Sequence, residues 1–113
     1  MAANKKKAVS DLVVLVSSAS ADEAAKIAKA IVEAKLAACA NIVPTVRSIF
    51  RWQGKIEDCS ETLIMFKTTE PCYKRLEEKV KQIHSYSVPE IIGLSIKYGS
   101  SEYREWIREQ TSK

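Results

Sequence analysis

Two helices laid on one face of a four-stranded antiparallel sheet is the α+β architecture that this sequence predicts, and three observations lead to it. The chain has 113 residues, one domain's worth and enough to bury roughly two-thirds of the surface it exposes when unfolded. Two segments have the apolar period of a helix, and four have the character of strands. Their order, β-α-β-β-α-β, is the split βαβ or ferredoxin-like plan, in which right-handed crossovers put both helices on the same side of the sheet.

The first strand is DLVVLVS (11–17), apolar on both faces, as a central strand covered on each side must be. SADEAAKIAKAIVEAKLAA (20–38) reads as an amphipathic helix. Ser20 and Glu23 have the spacing of a capping box, and Ala24, Ile27, Ala28 and Ile31 share one face. NIVPTVRSIFRWQGKIEDCSETLIMFKTT (41–69) reads as a long hairpin turning over residues 53–58, with Gly54 supplying backbone freedom. Pro44 lacks an amide hydrogen and puts the first arm at a sheet edge, whereas TLIMF in the second arm has the unbroken apolarity of an inner strand. EPCYKRLEEKVKQIH (70–84) is a second helix, with Pro71 in its first turn, Tyr73, Leu76, Val80 and Ile83 inward, and Glu77 and Lys81 ordered as an i,i+4 pair. EIIGLSIKY (90–98) is the fourth strand. SSEYREWIREQ (100–110) adds a short C-terminal helix with Tyr103, Trp106 and Ile107 as its apolar stripe.

Strand residues of both parities are apolar, Leu63 and Met65 as well as Ile64 and Phe66, Val13 and Leu15 as well as Leu12 and Val14. The two main helices can cover only one sheet face, so the other calls for burial by self-association. Residues 1–10 carry Lys5, Lys6 and Lys7 and read as a flexible basic arm before a single domain at 11–113. With those charges set aside the folded body is close to neutral and shows no basic stripe, which argues against a nucleic-acid partner. The apolar run Leu12 to Val16 is too short for a bilayer, and no secretory leader is recognisable, so neither membrane insertion nor secretion is expected. Cys39, Cys59 and Cys72 are odd in number and form no C-x-x-C, which suits reduced thiols in the cytoplasm.

The segment QIHSYSVPEIIG (82–93) holds the only histidine. Pro89 keeps Val88 extended, so residues 84–89 must reverse the chain between helix and strand. Such a turn requires neither His nor Tyr, which marks His84 and Tyr86 as candidates for a polar site. Glu61, Lys67, Glu90 and Tyr98, at strand ends in the expected topology, are candidates to line it with them. Nucleophilic catalysis has little support: there is no G-x-S-x-G, no phosphate-cradling loop among three glycines, and no recognisable triad. A competing enzyme reading uses His84 as general acid or base with Tyr86 and a nearby Glu.

EAKLAACANIVPTVRSIFRWQGKIEDCSETLIMFKTT (33–69) followed by IHSYSVPEIIGLSIKYGSSEYREWI (83–107) resembles the CutA divalent-cation tolerance family from about Val13 to Ile107. Family segments read L-A-A-C-x-N-x-x-P-G, a Trp before E-G-K, and H-P-Y-E-x-P-E. Thr45, Ser85, Ser87 and Ser100 depart from that pattern. The resemblance implies a PII-like homotrimer with hairpins wrapped on neighbours, Trp52 and Phe50 at the trimer interface, and the polar cleft of residue 84 lying between subunits. It implies a non-enzymatic scaffold or sensor in metal tolerance, open to an ion or small molecule but requiring no cofactor. Copper or another divalent cation is the ion in view. His84 is then a weak metal ligand at most, because Ser17 and Ser18 stand where a Cys would help. Cys39 reads as a small buried hydrophobe rather than a ligand.

Overall fold

The computed structural model describes residues 10–111, so the basic arm expected at 1–10 falls, Ser10 apart, outside the described residues. Seven elements follow in order: β1 (Asp11–Ser18), α1 (Ala21–Glu33), β2 (Cys39–Trp52), β3 (Lys55–Thr69), α2 (Glu70–Ile83), β4 (Ile91–Ser95) and α3 (Ser101–Gln110). The sheet runs β2-β3-β1-β4 with every neighbour antiparallel. This is the ferredoxin-like plan with a C-terminal helix added.

Register decides what lies in the core. Val14 opposes Phe66 and Val16 opposes Ile64, and all four are fully buried with Ile27 and Ile31 of α1 and Leu76 and Val80 of α2. Both long helices therefore cover one face. Gly93 of β4 belongs to that face, where a Cβ would come within 3.3 Å of the Tyr73 ring of α2. Cys72, not foreseen as an inward residue, is also fully buried.

Several ends differ from the sequence reading. Ser20 caps α1, its hydroxyl accepting from the Glu23 amide at 3.1 Å, while Glu23 reaches back to the Ala19 amide at 3.3 Å. The helix stops at Glu33 rather than continuing to residue 38. Lys35 takes a positive φ of 60° and turns the chain, so that Leu36, Ala37 and Ala38 enter the core as a non-helical connection to β2, the Leu36 amide donating back to the Ile31 carbonyl at 3.1 Å. There the Ala38 amide donates to the Lys67 carbonyl at 2.8 Å. The hairpin turn is only Gln53–Gly54, both at positive φ, 51° and 79°, the pattern of a two-residue type I′ turn. Residues 55–58, expected in the turn, are strand. Pro44 sits in a bulge of the edge strand β2, between the paired residues Val43 and Val46. In α2 the expected ion pair forms, Lys81 Nζ to Glu77 at 3.2 Å. β4 ends at Ser95, short of the expected Tyr98, although the Ile96 amide still donates to the Asp11 carbonyl at 2.9 Å.

α3 covers one end of the face opposite α1 and α2. Asp11 is fully buried there and holds Arg104 Nε at 2.7 Å and the Arg108 guanidinium at 3.0 and 3.2 Å. Of the expected stripe on α3 only Ile107 is enclosed; Tyr103 and Trp106 remain partly exposed. The ends of β2 and β3 extend beyond the body, giving extents of 53 × 29 × 25 Å. The radius of gyration, 15.6 Å, exceeds the value of about 13 Å usual for a compact chain of this length.

Asp11→Ala should cost about 2 kcal/mol, less than loss from a fully enclosed pair because both guanidiniums can turn to water. Urea unfolding reads the cost. Hydrogen exchange should locate it in α3, with the β1–β3 amides still protected.

Candidate functional site

Residues 84–90 join α2 to β4 at the end of the sheet where β1 finishes. His84 closes α2, its amide donating to the Val80 carbonyl at 2.9 Å. Its side chain is wholly enclosed. Nε2 lies 2.7 Å from the Ser17 carbonyl, and Nδ1 lies 3.0 Å from the Tyr86 amide. An amide can only donate and a carbonyl can only accept, so Nδ1 is the acceptor and Nε2 carries the proton of a neutral imidazole. The ring thus pins the loop to the end of β1. Glu23 of α1 adds a third tie, accepting from the Ser85 amide at 2.8 Å with Oε2 3.9 Å from His84 Nδ1. Burial raises the pKa of Glu23, but hydrogen bonds from Ser85 and Ala19 outweigh it and leave the carboxyl below its ordinary value.

Tyr86 is held against that ring, centroids 4.8 Å apart, and its hydroxyl donates to Glu61 Oε2 at 2.6 Å. Burial, followed by the hydrogen bond to Glu61, pushes the Tyr86 hydroxyl pKa far above its ordinary value. Glu61 itself is only 7% exposed. On β1, the Ser17 hydroxyl lies 3.4 Å from Glu90 Oε1. These groups line one side of a cleft of about 650 Å³ whose other wall is the hairpin, with Ser48, Ile49, Phe50, Trp52 and Glu57. Ser87 and Val88 complete the lining. Among the described residues, none that lines the cleft is basic.

Of the six residues proposed to share a site, the structure brings Glu61, Tyr86 and Glu90 to this cleft and sets His84 directly behind Tyr86. Lys67 and Tyr98 lie elsewhere. Lys67 is paired with Cys39 across the hairpin, where its ammonium contacts Asn41 Oδ1 and comes 4.0 Å from Cys39 Sγ. Tyr98 is 83% exposed, with Lys97 Nζ 5.4 Å above its ring. Cys39 is half-buried, 3.5 Å from the Tyr103 hydroxyl. The hydrogen bond to Cys39, then burial, pushes that hydroxyl pKa up to about 12. Phe50 and Trp52 line the cleft and remain substantially open to solvent in the single chain. Glu57 and Ser48 were not anticipated. Glu57 has the parity of Glu61 on β3, and Ser48 has that of Phe50 on β2, which was the available signal. Among the described residues no group of three His, Cys, Asp or Glu side chains is placed to hold a metal ion.

The sequence model of the family described as CutA1 divalent ion tolerance protein matches residues 12–110. The "Divalent-cation tolerance protein CutA" of Thermus thermophilus is 50% identical over 99 residues, 88% of this chain and 96% of the relative. The "Protein CutA, chloroplastic" of Arabidopsis thaliana is 42% identical over 105 residues, 93% of this chain but only 58% of that longer relative. The crystal structure of CutA1 from Oryza sativa superimposes with a TM-score of 0.90 at 40% identity, covering 93% of this chain and 96% of the other. Among the described residues, no helix is long and apolar enough to cross a membrane.

The raised pKa of Tyr86 has a definite sign. Its hydroxyl is more reluctant to ionise folded than unfolded, so the stability it contributes is full below about pH 10, the value of an unfolded tyrosine, and falls as pH climbs toward the raised folded value. Urea midpoints of the unaltered protein and Tyr86→Phe should therefore differ by a constant amount from pH 7 to 9 and converge above that range. A gap that widens with alkalinity would contradict the hydrogen bond to Glu61.

Proposed function

The chain belongs to the CutA1 divalent ion tolerance protein family, and from that premise we propose that it serves in the response to divalent metal ions, copper among them, as a non-enzymatic homotrimeric scaffold or sensor. The observation that carries the assembly is the β2–β3 hairpin. Beyond the sheet body it is a two-stranded ribbon, a form marginally stable alone in water, yet it bears Ile49 and Ile56 at 63% and 61% exposure together with Phe50 and Trp52. Ile92 and Leu94 add exposed apolar surface on the sheet face that α1 and α2 leave open. Neighbouring subunits that receive the hairpin would bury both surfaces and turn the cleft beside Tyr86 into a site between chains.

The cleft is the proposed place for an ion or small molecule. Metal binding through His84 is weak on this reading, since an ion must displace either the Ser17 carbonyl or the Tyr86 amide from the ring. Cys39 is no second ligand to it, being placed beside Lys67 and Tyr103. The same engagement of both ring nitrogens weighs against His84 as a general acid or base. A cytoplasmic setting belongs to the proposal, supported by the exposed Cys59 thiol on the hairpin, which suits a reducing compartment.

Light scattering at low micromolar concentration should return the mass of three chains, about 38 kDa from a 12.6 kDa subunit. Trp52→Asp should lower that mass, because it puts a charge on the apolar hairpin; a monomeric mass for the unaltered protein would remove the trimer. In calorimetry, copper should bind no tighter than micromolar, and His84→Ala should abolish the signal. Stoichiometric submicromolar binding that survives His84→Ala would overturn the ligand.

A further inference from the structure

Glu61 is the anomaly of the cleft. The residue is only 7% exposed, and the carboxylate of so enclosed a residue ordinarily faces a basic side chain, because an isolated buried charge is costly. Here one oxygen accepts from the Tyr86 hydroxyl at 2.6 Å, and among the described residues no basic group forms an ion pair with the carboxylate and nothing bonds its second oxygen. That oxygen belongs to a residue lining an open cleft, with two more carboxylates, Glu57 and Glu90, on its walls. This acidic hollow occurs in a folded body that is close to neutral once Lys5, Lys6 and Lys7 are set aside, so it is not a reflection of overall composition.

We propose that this cleft binds an organic cation, an ammonium group carried on an apolar body, with Glu61 as its counter-ion. The proposal rests on reading the cleft as a binding site and adds the class of ligand. Three features select an organic cation over a metal ion. No three ligating side chains are grouped to coordinate a metal among the described residues, whereas Ca²⁺ takes 6–8 oxygen ligands and Mg²⁺ requires near-octahedral geometry. The volume, about 650 Å³, falls within the range of small-molecule pockets and far exceeds a bare ion. Phe50 and Trp52 supply aromatic surface, which attracts ammonium through the ring faces and shelters its hydrocarbon part. Tyr86 orients the carboxylate by occupying one oxygen and leaving the other for the ligand, which makes it a positioning residue.

The test uses the full chain in its native assembly and reads Trp52 fluorescence in a Trp106→Phe background. Phenethylammonium, butylammonium and 1,4-diaminobutane are titrated beside 2-phenylethanol and phenylacetate, and binding of phenethylammonium is repeated at raised salt. At least one amine should saturate the signal, 2-phenylethanol should bind at least tenfold more weakly than phenethylammonium, and phenylacetate should not bind. Glu61→Gln should weaken the amine tenfold or more with mass and circular dichroism unchanged; if that variant misfolds, the amine-against-alcohol comparison in the unaltered residue set decides alone. Equal binding of alcohol and amine, or binding of none of the amines, overturns the proposal. If no amine binds but copper or calcium ions do and Glu61→Gln abolishes it, the cleft remains a binding site while the organic cation is excluded. If neither amines nor metal ions bind, the binding-site reading falls as well.

Discussion

Eight consecutive pairings between β1 and β3, from Asp11 with Thr69 to Ser18 with Thr62, decide which way every side chain of the central sheet points. Even-numbered Val14, Val16, Ile64 and Phe66 face the two long helices; odd-numbered Asp11, Val13, Leu15 and Ser17 face away. A slip of one residue would aim the Asp11 carboxylate at α1 and α2 and expel Phe66, so the apolar core and the placement of charge enforce the same register. The outer face is then used differently at its two ends. Asp11 anchors α3 through two arginines, and Ser17, six residues or about 20 Å along the same strand, opens onto the cleft. One register therefore sets the core, the attachment of the last helix and one wall of the candidate site.

Long-range order was legible in the sequence because it rests on apolar pattern, which β1, the two long helices and the inner half of β3 obey. Ends were less legible because they rest on single backbone conformations. α1 stops where Lys35 adopts a positive φ, a task that glycine or asparagine would have announced, and the Ala- and Leu-rich residues beyond it have high helix propensity despite lying outside the helix. Gln53 likewise takes the left-handed region next to Gly54, so a turn with one recognisable residue was read as longer than two. β4 ends because its neighbour β1, the one strand it pairs with among the described residues, begins at Asp11, a limit set by the partner strand rather than by Ile96, Lys97 or Tyr98.

The candidate site was legible in part for a geometric reason. Glu61 and Lys67 belong to one strand, and six strand residues separate them by about 20 Å, so both cannot border the loop that follows α2. Tyr98 comes after β4 and Glu90 before it, which again puts them at opposite ends of the sheet. His84 shows a different limit. Sequence marks the only imidazole as chemically notable, but nothing in the pattern says that its partners will be the carbonyl of Ser17 and the amide of Tyr86. The histidine positions the tyrosine, and the tyrosine with Glu61 meets the cleft.

On the proposed trimer, assembly and the proposed ligand binding are coupled through that arrangement. The hairpin that the proposed trimer would cover also supplies Phe50, Trp52 and Glu57 to the cleft wall, so a neighbouring chain seated on the hairpin would also remove water from around Glu61. Lower local polarity strengthens the attraction between a carboxylate and a cation and raises the cost of leaving the carboxylate alone. A cation in the cleft would then favour the assembled state by the same free energy by which assembly favours the cation, since linkage between two equilibria is reciprocal. On the proposed trimer, the exposed apolar hairpin and the carboxylate that lacks a counter-charge among the described residues are two halves of one incompleteness, one met by a second subunit and the other by the ligand.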